Sequence, residues 1–381
     1  MRLPPGSPST AASQPDRRQF RSIDLFKIIA VQLIVLHHLA FYGPMSDRVE
    51  LIAPSLIGWL NQYGRMAVQV FLVSGGFLAA RSLSPRGTPG IARPWHALWR
   101  RYLKLAPPFM VATMLTIAAS ALASQWMTHS SISATPTLAQ LAAHALLLHG
   151  VLGIASVSAG AWYVAIDFQL YALMTLLLWL SGSLARQRQA PWLMPTLVTL
   201  LASASLLLVN RDPSWDNWAL YFFGSYGLGA LAWWICDRDR SPAAASLLGL
   251  AILLPAVIAL LLDFRSRIAV ALALACLLII CNRRRVPLSS PNAARVGWID
   301  ASGRISYAVF LIHFPVCLLV NAFFTRFVAP EPMLQAIGML LAWSASLLVG
   351  AVFHHWVEVP LGRLFQHLGH GASPATRLVR Q

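Results

Sequence analysis

Apolar runs of about 17 to 25 residues, the length a helix needs to cross roughly 30 Å of hydrocarbon, recur along almost the whole chain. They are read at 24–43, 62–80, 105–124, 137–154, 162–182, 191–209, 218–236, 244–262, 267–282, 304–327 and 335–356. Hydrophobic residues make up 57% of the 381 and charged residues only 11%, and the mean hydropathy is +0.62. That leaves too little polar surface for a soluble globule. The expected fold is all-α: one polytopic bundle of transmembrane helices.

The formal charge of +16 is scattered between the apolar runs and forms no basic face, which argues against a nucleic-acid partner. Topology explains it better. If ten runs cross and 137–154 does not, 23 of the 29 Lys and Arg residues fall on one side and six on the other. Basic residues collect on the cytoplasmic side, so both termini are expected in the cytoplasm. Letting 137–154 cross would move Arg283, Arg284 and Arg285 outside; that segment is instead expected to lie in the outer interface or to re-enter. Residues 125–161 carry no Lys, Arg, Asp or Glu but contain His129, His144 and His149, as suits a semi-buried lid over an outward-facing cavity.

The remaining features bound the organisation. Cys236, Cys276, Cys281 and Cys317 lie in or beside apolar runs without a CxxC spacing, which points to buried thiols and to neither a disulfide framework nor a metal site. Residues 1–20, rich in Pro, Ser and Arg, are expected as a disordered cytoplasmic tail with no cleavage site. The membrane domain is expected over 21–362 and a short cytoplasmic tail over 363–381.

Polar residues inside the runs are costly and therefore informative. His38 lies in the first run, eleven residues after Lys27, or about 16 Å along a helix. Burial disfavours imidazolium, so a mid-membrane His38 is expected to be neutral and able to accept a proton from an alcohol. Lys27 lies at the cytoplasmic mouth, where a cation can hold a phosphate-bearing donor, although snorkelling at a helix end also places lysines there. Arg93, Arg100, Arg101 and Lys104 form a second basic cluster before Pro107-Pro108, suited to diphosphate or to anionic lipid head groups. Asp167 is read near the outer end of its span, where a carboxylate needs a partner. His313 lies inside the tenth run, 304–327, and Glu358 at the cytoplasmic end of the last helix. Gly75-Gly76 suits close helix packing.

With these residues in view, the order of motifs over residues 20–362 resembles the acyltransferase-3 family of integral membrane O-acyltransferases. The stretch Asp24-Leu25-Phe26-Lys27-Ile28-Ile29-Ala30 leading to His38 is similar to the family's opening pattern, a basic residue, ten intervening residues and then His, and selects His38 over His37. Arg101-Tyr102-Leu103-Lys104 before Pro107 resembles "RxxR…P", with Lys for the second Arg. The run from Trp162 through Asp167 and Gln169 to Tyr171 resembles "WxLxxExQFY", with Asp for Glu. Phe71 to Phe77 resembles "FFxxSGF", with Gly75 at the serine position and Ser74 beside it. Ser306-Tyr307 to His313 resembles "SYxxYLxH", and Trp356 to Pro360, containing Glu358, the closing "xxxExP".

The resemblance implies transfer of an acyl group, usually acetyl, from cytoplasmic acyl-CoA to a hydroxyl of an extracytoplasmic or membrane-linked carbohydrate, such as an exopolysaccharide or lipopolysaccharide sugar. Acyl-CoA is then a co-substrate, no cofactor is resident, and the location is a bacterial-type inner membrane among its lipids. It implies His38 and Asp167 as catalytic residues, with His38 a base or an acyl carrier. Lys27, Arg101 and Lys104 are implied as donor-binding residues, and Ser74, Tyr171, Tyr307, His313 and Glu358 as supporting ones. The competing reading is a proton-coupled transporter or flippase using His38, Asp167 and His313 as a relay. The lack of a convincing internal repeat weakens it.

Overall fold

The computed structural model describes residues 21–185, 192–237, 239–284 and 293–370, and all regular structure among them is helical. The chain opens with α1 (Arg21–Phe41) and the short α2 (Pro44–Val49). Next, α3 (Pro54–Tyr63) runs through a 3₁₀ turn, Gly64–Ala67, into α4 (Val68–Leu83). Then come α5 (Pro94–Ala123), α6 (Leu138–Ala145), α7 (Ala161–Ala185), α8 (Leu193–Leu207) and α9 (Ala219–Ile235). The remainder is α10 (Pro242–Leu262), α11 (Ser266–Arg284), α12 (Ala293–Phe327), α13 (Pro332–Phe353), a π turn at His354–Glu358, and α14 (Val359–His370). Proline opens α2, α3, α5, α10 and α13, where its fixed φ suits the first turn and its missing N–H leaves no bond unmade. The tail expected at 1–20 lies outside the described residues, and α14 carries helix through His370.

Among the described residues nine helical segments are long and apolar enough to cross a membrane. The remaining expected crossing, 218–236, is α9, whose 17 residues span only about 26 Å. It lies inside the bundle, packed on α4, α7, α8, α10 and α11, with nearly every side chain buried, so it faces protein along its length. Its contact with α4 is as close as two helices can come. A Cβ on Gly76 would lie 1.8 Å from the Tyr226 carbonyl oxygen, and one on Gly229 would lie 1.9 Å from that of Val73. Each glycine thus admits the other helix's backbone.

The segment expected not to cross contains an eight-residue helix, about 12 Å long and too short to span. It re-enters. The tip, Ala145–Leu147, reaches the level of the α5 basic cluster: Tyr102 donates its hydroxyl to the Ala145 carbonyl (2.9 Å) and Gln169 its amide to that of Leu147 (3.3 Å). The two legs are tied by Gln140 to the Ala155 carbonyl and Ser133 to that of Val157, both 2.8 Å. Leu147 turns the chain at φ +57° and is fully buried. Irregular backbone at this depth needs such enclosure, because lipid offers no hydrogen bonds.

Candidate active site

Two polar clusters share α1. The upper one is centred on His38, whose Nδ1 lies 2.6 Å from His313 Nε2 with the rings nearly coplanar in orientation, 4° apart. On its other side His313 places Nδ1 2.8 Å from the Phe310 carbonyl oxygen. A carbonyl only accepts, so His313 carries its proton on Nδ1 and its Nε2 is an acceptor. His38 must then donate through Nδ1. What remains is the lone pair on His38 Nε2. Neighbouring His37 is fixed otherwise, its Nδ1 donating to the Leu60 carbonyl (2.9 Å) and anchoring the end of α3 to α1.

His37 and His38 border a cavity of about 640 Å³, within the usual range for small-molecule sites. Its walls are aromatic, from Phe41, Tyr42, Trp162, Phe310 and Phe314, and its rim is polar. Asn61, Gln62 and Arg65 face it from the α3–α4 junction, and Ser130, Ser131, Ser133, Ser156 and Ser158 from the re-entrant segment. The uncharged segment 125–161 therefore covers this cavity.

The lower cluster gathers around Lys27. Its electrostatic neighbours are Asp24, Lys104, Arg101 and Asp167. Asp167 is buried, and its Oδ2 accepts from Arg101 Nη2 at 2.5 Å. The chain before α7 lines the cavity, and the second turn of α7 meets the basic cluster. The Arg101 guanidinium also lies over the Tyr171 ring, 5.2 Å from its centroid. Lys104 is exposed and has Arg101, Asp167 and Glu358 as neighbours, while Glu358 accepts from His354 across the π turn at 2.8 Å. Tyr307 donates to the Leu105 carbonyl at 3.1 Å, which holds α12 against α5 beside Lys104.

Lys27, Arg101, Lys104, Asp167, Tyr171, Tyr307 and Glu358 thus come together, and His38 and His313 form the second centre. Ser74 joins neither: its hydroxyl is buried with no hydrogen-bond partner among the described residues. The position facing the ion pair is Gly75, where a Cβ would lie 3.6 Å from Asp167 Oδ1 and 3.3 Å from the Tyr226 ring. Between the centres stands a bridge the motifs do not announce. Tyr163, one turn before Asp167, packs on Phe310, one turn before His313, at 5.3 Å between centroids, and Phe71 touches both. Asn61, Gln62 and Arg65 also escape motif reading; their one signal is that they interrupt the start of the second apolar stretch with polar side chains.

No curated protein and no solved structure matches the chain significantly. A family model described as an acyltransferase domain matches residues 20–354, which contain the cavity, the re-entrant segment and every residue of both centres except Glu358. By that match the chain belongs to the acyltransferase-3 family and is a multi-pass membrane O-acyltransferase.

Proposed function

We propose that the protein transfers an acetyl group from cytoplasmic acetyl-CoA to a hydroxyl of a carbohydrate or glycolipid on the other face of a bacterial-type inner membrane. The observation that carries this reading is the hydrogen-bond chain from His38 through His313 to the Phe310 carbonyl, which leaves the His38 Nε2 lone pair beside a 640 Å³ cavity. The cation cluster supplies the other half. Lys27 and the exposed Lys104 hold the donor's phosphates, while Arg101, already paired with Asp167, orders that cluster. About 16 Å of α1 separates Lys27 from His38, a gap suited to the extended thioester arm of CoA. The 23-to-6 division of basic residues supports a cytoplasmic position for the Lys27 end and for both termini.

In this mechanism His38 Nε2 takes the proton from the acceptor hydroxyl as its oxygen bonds to the thioester carbonyl carbon. The carbon–sulfur bond then breaks, and the proton passes from His38 to the departing thiolate. His313 Nε2 accepts from His38 Nδ1–H throughout and steadies the imidazolium. In the carrier version Nε2 bonds the acetyl carbon first and the carbon–sulfur bond breaks; the acceptor oxygen then bonds that carbon, the carbon–Nε2 bond breaks, and the hydroxyl proton passes to the thiolate. Membranes holding His38→Ala, given radiolabelled acetyl-CoA and acceptor, are expected to yield no labelled product. Full retained activity would overturn the assignment. Recovery of acetyl on the purified protein selects the carrier version. Lys27→Ala is expected to raise KM for acetyl-CoA, with Lys27→Arg restoring most of it; an unchanged KM removes Lys27 from the donor site.

A further inference from the structure

The cavity beside His38 is hydroxyl-rich on one side and carries charge on the other. Residues 125–161, which supply its serine side, contain no Lys, Arg, Asp or Glu. Among the described lining residues no carboxylate appears, and Arg65 alone bears a permanent charge. Arg65 is exposed and held in place by its backbone. It lies in the 3₁₀ turn Gly64–Ala67, where a Cβ on Gly64 would stand 2.8 Å from His37 Cβ, so the turn is seated directly on α1 one residue from His38. The His37 to Leu60 hydrogen bond pins the same junction.

Of the five other arginines on the minority side of the charge count, Arg265 and Arg267 are committed to the protein. Arg265 donates to Asn210 Oδ1 (2.8 Å) and the Leu206 carbonyl (2.9 Å), and Arg267 to the Asn210 carbonyl and the Tyr221 hydroxyl. Arg65 instead faces the cavity beside Asn61 and Gln62, which add neutral donors. A polyol that carried an anionic group would therefore find one place for the charge and, across from it, a row of hydroxyl partners. That arrangement sets orientation as well as affinity, because the anion fixes which hydroxyl comes to His38.

We propose that the acceptor is an anionic polyol, its carboxylate or phosphate held by Arg65. This rests on the acyl-transfer reading and narrows its substrate class. The test uses the full-length protein in phosphatidylcholine vesicles and two disaccharides that differ only in a terminal glucuronate or glucose. Binding is measured by calorimetry, and transfer with radiolabelled acetyl-CoA. The glucuronate sugar is expected to bind about 10-fold tighter, the size of one charge-assisted hydrogen bond. Arg65→Gln should bring the two sugars within about twofold, and Arg65→Lys should keep most of the preference. Equal binding of the two sugars, binding of neither, or a preference unchanged in Arg65→Gln overturns the proposal. So does an Arg65→Gln effect that follows added phosphatidylglycerol and not sugar charge, since Arg65 would then serve a lipid head group. Charge-selective binding without transfer to either sugar overturns the acyl-transfer reading alone.

Discussion

His38 and His37 are adjacent in the chain, equally buried, and chemically identical until their partners are considered. The first donates to a histidine and keeps a lone pair facing the cavity; the second donates to a backbone carbonyl and holds two helices together. His313 is therefore a positioning residue, acting through His38. His313→Ala is expected to lower kcat by about 10- to 100-fold, the usual effect of losing an orienting partner, with little change in KM for acetyl-CoA. His313→Gln retains an acceptor where Nε2 stood and should recover part of the loss. Equal damage by both substitutions, or a loss confined to KM, would mean that His313 merely fills space. At this scale the motif spacing picked out His38 and Lys27 without help. It placed Asp167 near the start of its span, where the second turn of α7 carries it, and could not name Arg101 as its partner, because spacing along one span says nothing of what the neighbouring span presents.

Among the elements, the α4–α9 contact and the re-entrant segment depart furthest from simple parallel spans. Gly76→Ala or Gly229→Ala would drive a methyl group into a backbone carbonyl, so each is expected to reduce the folded yield severely. Gly249→Ala, on α10 where nothing lies within 4 Å of an added Cβ, is expected to be neutral or slightly stabilising. Detergent-solubilised melting curves of the three variants check this, and equal behaviour would refute it. The re-entrant segment has a different sensitivity. His149 and His144 stack at 4.1 Å between centroids against Phe109, and neither His149 nitrogen has a partner among the described residues. Burial, then the neighbouring His144, lowers the His149 pKa to about 4. An unpacked histidine takes its proton near 6.5. The packed segment is thus most stable above about pH 6.5 and loses stability as pH falls towards 4. Hydrogen exchange over 138–157 is expected to be faster at pH 5 than at pH 7.5 after correction for intrinsic rates, and His149→Phe should flatten the difference. A wild-type segment equally protected at both values would contradict the assignment.

For the whole molecule, the charge division predicts which face each loop meets. A cysteine replacing exposed Arg48 should react with an impermeant maleimide from outside intact cells, and one replacing exposed Arg86 only after the membrane is opened. The reverse pattern would invert the bundle and place the Lys27 cluster outside, away from acyl-CoA. Most of the architecture was legible before any coordinate. Hydropathy alone located the spans, since a segment that enters lipid must be apolar over its full length. Charge bias singled out 137–154 as the run that does not cross, and the motif order named the family. What the chain could not state is which polar groups meet. The Arg101–Asp167 pair, the His38–His313 chain, the depth of the re-entrant tip and the cavity with Arg65 at its edge all join residues from different helices. Burial in lipid is dictated segment by segment, so sequence determines it; contacts between helices depend on their rotation and depth, which only packing of the whole bundle decides.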